Sequence, residues 1–163
     1  MVVARTVEGQ GKAFYELVLK QGLEGVVGKK KNSLYYPGKR TRDWVKVKNL
    51  EEDDYVIGGY VLAEHVAMLL LGQFSQQGKL VYKGRATLGL RTDDFAQIER
   101  APRADRPPFG APMPKEEPAA VWLQPQLVCT VDFVRRFEGG SMRQPHYRRL
   151  RPDKAPQEAI ESA

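Results

Sequence analysis

Apolar residues recur at helical spacing in only two stretches of this chain and at strand spacing through much of the rest. Between residues 10 and 21, Phe14, Leu17 and Val18 share one side of a 3.6-residue repeat and Gly22 follows as a suitable C-terminal cap, which predicts a short amphipathic helix. A second helix is predicted over 92–100, with Thr92 as N-cap and Phe95 and Ile98 on one face. The run Leu23-Glu24-Gly25-Val26-Val27 leads into a basic loop holding Pro37-Gly38. Next comes Trp44-Val45-Lys46-Val47-Lys48, whose alternation is that of a strand. Successive side chains of a strand point to opposite faces, so Lys46 and Lys48 are expected beside Trp44 while Val45 and Val47 turn inward. Trp44 itself is expected to pack into a core.

Beyond Asn49 the pattern changes. The run Glu51-Glu52-Asp53-Asp54 reverses the sign of charge and precedes β-rich apolar stretches at 55–62, 66–74, 79–87 and 127–137, with a weaker one at 147–150. Gln76-Gln77-Gly78 supplies a turn between the second and third. Residues 102–118 hold six prolines and are expected to form a loop. Five short strands with one helix between the third and fourth are the layout of an oligonucleotide-binding (OB) barrel. The expected fold is therefore mainly β: a five-stranded OB-fold barrel with one helix over residues 51–163, preceded by a short α/β segment over residues 1–50.

Charge adds to this division. Of the 26 Lys and Arg, 11 fall in residues 1–50 against 4 Asp and Glu, whereas the remainder holds 15 against 16. Concentrated positive charge points to a polyanion, because each neutralised phosphate releases condensed counterions; a solvated basic face is the alternative. The longest apolar stretch, near 56–71, is interrupted by Gly58, Gly59, Glu64 and His65, so a membrane-spanning helix is not expected. The first residues lack the pattern of a secretory signal, and a cytoplasmic, nucleoid-associated location is expected. Cys129 is the single cysteine, which excludes an internal disulfide and places that thiol in the core.

Three stretches together resemble the nucleotidyltransferase motifs of ATP-dependent DNA ligases, most closely the ligase D type of bacterial end joining. Glu24-Gly25-Val26-Val27 followed by Lys29 resembles the fourth motif, Asp43-Trp44-Val45-Lys46-Val47-Lys48 the fifth, and Arg151-Pro152-Asp153-Lys154 the sixth. The runs Tyr35-Tyr36-Pro37-Gly38-Lys39-Arg40-Thr41-Arg42, Val56-Ile57-Gly58-Gly59-Tyr60 and Gly84-Arg85-Ala86-Thr87-Leu88-Gly89 are similar to ligase D sequences at the same places. Each motif alone is weak, but three in order around a predicted barrel make coincidence improbable. Nearly the whole chain is covered.

The resemblance implies that residues 1–50 are the C-terminal part of an adenylation domain, that a hinge lies near residues 49–52, and that residues 51–163 are a DNA-binding OB domain. It implies ATP and Mg²⁺ as cofactors of the complete enzyme, with Glu24 as a metal ligand, a role that suits the preference of Mg²⁺ for oxygen. Lys46 and Lys48 would approach the nucleotide α-phosphate, and Arg151 and Lys154 the departing pyrophosphate. Lys29, Lys39, Arg40, Arg42 and Arg85 are assigned to DNA. The chain departs from the family in having no Asp-Gly dipeptide and hence no Lys-x-Asp-Gly nucleophile. Ligation by this chain alone is not expected. Three readings stay open: part of a ligase acting with a companion chain or end-joining proteins at DNA nicks and breaks, a stand-alone OB module that binds nucleic acid, and a relative of the messenger-RNA capping transferases. The bland reading of Glu24, Lys46, Lys48, Arg151 and Lys154 is surface charge.

Overall fold

A computed structural model describes residues 6–64, 66–110 and 119–161. The chain divides into two compact units, Met1–Leu50 and Glu51–Ala163.

The first unit holds one helix and one hairpin. Helix α1 (Gly11–Lys20) ends as the sequence predicts: Gly22 takes a positive φ, its amide donates to the Leu19 carbonyl, and the Leu23 amide donates to Val18. Those two bonds make the Schellman termination that glycine permits without strain. Val18 is buried and Phe14 half-buried, but Leu17, expected on the same apolar face, is half exposed. Strands β1 (Gly25–Lys29) and β2 (Trp44–Lys48) pair antiparallel, with Val27 opposite Lys46 and Gly25 opposite Lys48. Gly25 is required there, since its φ is 142° and a Cβ would collide with the Val47 carbonyl. In the connecting loop Pro37 and Gly38 fill the two central places of a type II turn closed by Lys39 N–H to Tyr36 O at 3.2 Å.

Every residue of β2 is exposed, which corrects two expectations. Val45 and Val47 are not inward-facing, and Trp44 is not core but 37% exposed. The physical reason is scarcity of cover: one ten-residue helix and two five-residue strands cannot bury both faces of a hairpin, and among the described residues of this unit only Val18 is buried.

The second unit is the predicted barrel. Strands β3 (Glu51–Ala63), β4 (Val66–Phe74), β5 (Leu80–Ala86), β6 (Ala120–Phe133) and β9 (His146–Leu150) form one antiparallel sheet in the order β5-β4-β3-β6-β9. A parallel bridge between Leu88 and His146, with the Tyr147 amide donating to Leu88 O at 2.8 Å, joins the two edges and closes it. Helix α2 (Thr92–Glu99) lies between β5 and β6 in the chain, as expected, although its N-cap is Arg91 rather than Thr92. The short strands β7 (Arg135–Arg136) and β8 (Met142–Arg143) form a separate hairpin between β6 and β9.

β3 starts four residues before the predicted stretch, because Glu51 to Asp54 continue the ladder against Phe133 to Thr130. β6 starts at Ala120, and Pro125 falls where its register against β3 shifts, the place in a sheet that tolerates a missing N–H. Both faces of the central strands are covered. One cluster includes Tyr55, Ile57, Leu69, Leu71, Ile98, Cys129, Val131, Phe133 and Tyr147. The other includes Val56, Leu70, Leu80, Phe109 and Val128. Phe109 comes from the proline-rich segment, of which residues 111–118 lie outside the described residues. Its ring sits so close over Gly58 and Gly72 that a side chain at either would overlap it. Cys129 is fully buried, and burial pushes its thiol well above the ordinary range, as befits an inert core residue.

Candidate phosphate-handling and nucleic-acid sites

In the first unit the strand alternation does what the chemistry would need. Lys46 and Lys48 stand on the Trp44 face of β2 and line an open cavity of about 610 Å³, with Lys39, Arg40, Tyr35 and Tyr36 on its other sides. Tyr35 and Trp44 lie 5.3 Å apart at 33°, and the Lys29 ammonium sits 4.0 Å over the indole. The indole N–H donates to Ser33 Oγ at 3.2 Å, and Lys30 N–H to Asp43 O at 2.8 Å ties the loop base to β2. The result is a cationic pocket with an aromatic wall, able to take a ring and a phosphate side by side.

Glu24 directly precedes Gly25, the partner of Lys48, and its carbonyl accepts the Asn49 amide at 2.8 Å. Among the described residues no three His, Cys, Asp or Glu side chains converge on a common point. A single carboxylate suits Mg²⁺ only together with water and phosphate oxygens, which complete its roughly six ligands. Arg42 is exposed beside this loop, whereas Arg85 belongs to β5 of the second unit.

Arg151 and Lys154 converge on a single carboxylate that sequence reasoning missed. Lys154 Nζ donates to Asp54 Oδ2 at 2.5 Å, Arg151 donates to both Asp54 oxygens at 3.2 and 3.3 Å, and Thr130 Oγ1 donates to Oδ1 at 2.6 Å. Asp153 grips the other side of Arg151 at 2.9 and 2.7 Å. Burial alone would raise the Asp54 carboxyl, but the bonds from Lys154 and Thr130 and the charges of Lys154 and Arg151 hold it below the ordinary 3.8. The Asp153 carboxyl is drawn down to about 2 by its bonds to Arg151, and the same contact holds the Arg151 guanidinium firmly protonated. Asp54 sits at the start of β3, opposite Thr130, in the acidic run that marks the domain boundary in the sequence. Only the pairing of β3 with β6 reveals it.

The family described as "ATP dependent DNA ligase C terminal region" matches residues 63–154, and "ATP dependent DNA ligase domain" matches residues 4–48. The chain belongs to the ATP-dependent DNA ligases. The multifunctional non-homologous end joining protein LigD of Mycolicibacterium smegmatis is 34% identical over 98% of this chain. A DNA ligase of Thermococcus fumicolans is 31% identical over 92%. The chain spans 22% and 28% of those two proteins. Among solved structures, the ligase domain of M. tuberculosis LigD superposes with a TM-score of 0.65 at 33% identity, covering 91% of this chain and 50% of that one. A mycobacterial DNA ligase D complexed with ATP and MES gives 0.61 at 34%, with the same coverage. The ligase family accounts for the barrel, and membership implies ATP and a divalent metal in the complete enzyme.

Proposed function

We propose that this chain is the rear part of an ATP-dependent DNA ligase acting in nick sealing and double-strand break repair, and that it needs a lysine nucleophile supplied by a companion segment. The observation that carries the reading is the convergence of Lys46 and Lys48 on one cationic, aromatic-walled cavity, with no Lys-x-Asp-Gly sequence in the chain.

In this reading residues 1–50 are the end of the adenylation domain and residues 51–163 the DNA-binding OB domain. Lys46 and Lys48 hold the nucleotide α-phosphate, where fixed positive charge offsets the charge that develops in phosphoryl transfer. Arg151 and Lys154 take the pyrophosphate, exchanging the Asp54 carboxylate for phosphate oxygens. Glu24 provides one ligand of the divalent ion. Lys29, Lys39, Arg40, Arg42 and Arg85 hold the DNA backbone, an electrostatic task that needs no base reading. The companion brings the lysine and the remaining metal ligands.

The test is complementation. ATP labelled at the α-phosphate is expected to leave no acid-stable label on this chain alone. Mixing with a protein segment that carries the ligase front half is expected to restore labelling of the partner's lysine and sealing of nicked DNA. Covalent labelling of this chain alone, or failure of every such mixture to seal, would overturn the proposal.

A further inference from the structure

The β7–β8 hairpin lies outside all the residues discussed so far, yet it occupies the connection between the fourth and fifth strands of the barrel. In OB folds that connection is one of the loops that contact oligonucleotides. Its composition is unusual: residues 133–151 contain six arginines and a single acidic residue, Glu138. Arg136, Arg148, Arg149 and Arg151 pair with Asp53, Asp132, Glu52 and Asp54 respectively. Arg135 meets no carboxylate among the described residues; its guanidinium lies 5.6 Å over the ring of Phe137, which is 46% exposed. The register sets Arg135 directly opposite Arg143 on the paired strand.

The hairpin is also held firmly. Arg136 donates to Gln73 Oε1 at 3.2 Å, ion-pairs with Asp53 and lies 4.9 Å over the Phe133 ring, while Met142 is buried in the barrel core. Phe137 N–H donates to Ser141 O at 2.8 Å, closing the turn. An exposed ring beside a guanidinium that has no carboxylate partner among the described residues, on a pinned support, is a stacking platform with a phosphate contact, the pairing that single-stranded nucleic acid uses.

We propose that this hairpin binds an unpaired nucleotide at a DNA end, with Phe137 stacked on the base and Arg135 on its phosphate. The proposal rests on the DNA-ligase reading above and adds a preference for single-stranded extensions. The test measures fluorescence anisotropy of the whole chain with a blunt duplex and with the same duplex bearing a short oligothymidine tail, across a salt series. The tailed duplex is expected to bind more tightly. Phe137→Ala is expected to weaken tailed binding about fivefold or more and leave blunt binding unchanged, with Phe137→Tyr restoring it. Arg135→Ala is expected to lower the salt slope on tailed DNA by roughly 0.7 to 0.9. Both side chains are exposed, so melting curves should coincide with wild type. Equal affinity of wild type for the two duplexes, or full tailed affinity in Phe137→Ala or Arg135→Ala, overturns the hairpin site while leaving the ligase reading intact. Absence of salt-dependent binding to either duplex overturns both.

Discussion

In the barrel, β3 buries eight consecutive residues from Asp54 to Val61, whereas in the first unit all five residues of β2 are exposed. Both strands are apolar at alternate or successive positions, so sequence pattern alone does not set their fate. What differs is the number of neighbours. β3 lies between β4 and β6 with one apolar cluster on each face, while β2 has β1 on one edge and a helix that buries only Val18. The barrel uses its residues for packing and pairs two buried carboxylates inside it, Asp54 with Lys154, Arg151 and Thr130, and Asp94 with Arg91 and the Tyr147 hydroxyl. The first unit leaves most of its charged and aromatic side chains at the surface, where Trp44 packs against Tyr35 and Lys29 beside the cavity.

The comparison is easiest to break with core truncations. Leu71 is fully buried, and Leu71→Ala is expected to cost the barrel about 2–5 kcal/mol, whereas Val45→Ser on exposed β2 should stay within about 0.5 kcal/mol. The two tryptophans, Trp44 and Trp122, lie one in each unit, so urea melts of Trp44→Phe and Trp122→Phe backgrounds report the units separately. Comparable losses for the two substitutions would show that β2 is covered in solution and that the contrast is wrong.

Much of this contrast was legible beforehand, and the exceptions share a cause. The five barrel strands, both helices and the Gly22 and Pro37-Gly38 stops follow from local rules of periodicity and turn chemistry. Trp44, Val45 and Val47 depart from the pattern because burial depends on what lies over a strand, which the strand's own sequence does not contain. Phe109 lies in a proline-rich loop, and nothing local says that its ring closes over Gly58 and Gly72. The motif lysines could be placed because alternation fixes their face, but the partner of Arg151 and Lys154 is separated from them by about a hundred residues of chain. Long-range pairing hid Asp54.

A smaller effect sharpens the contrast at the site. In the complemented enzyme, Lys46→Ala on the open strand is expected to slow both adenylation and sealing by roughly a hundredfold, about 3 kcal/mol, because the α-phosphate takes part in each step. Arg151→Ala is expected to slow mainly the ATP step, where pyrophosphate is present. Single-turnover rates with ATP and with DNA already carrying an adenylated 5′ end separate the two, and equal losses for Arg151→Ala would refute its role.

The smallest effect concerns acid. Asp54 is ionised more readily in the folded barrel than in the unfolded chain, because Lys154, Thr130 and Arg151 offset the cost of its burial. A carboxyl with a lowered folded pKa contributes stability that is fully present above its ordinary 3.8 and is lost as pH falls through the lower folded value. Wild type should therefore lose barrel stability on acidification below about pH 4. Asp54→Asn keeps an oxygen for the Thr130 hydroxyl but carries no charge, so it forgoes the ionic part of these bonds, about 1–2 kcal/mol, at neutral pH. It should also fall less steeply in acid, so that the two melting midpoints converge as the pH is lowered. Asp153, with its carboxyl near 2, lies on the surface and should alter the curve little. Thermal melts from pH 6 down to pH 2.5 decide the matter: parallel curves for wild type and Asp54→Asn would mean that the carboxylate is not the anchor of Arg151 and Lys154.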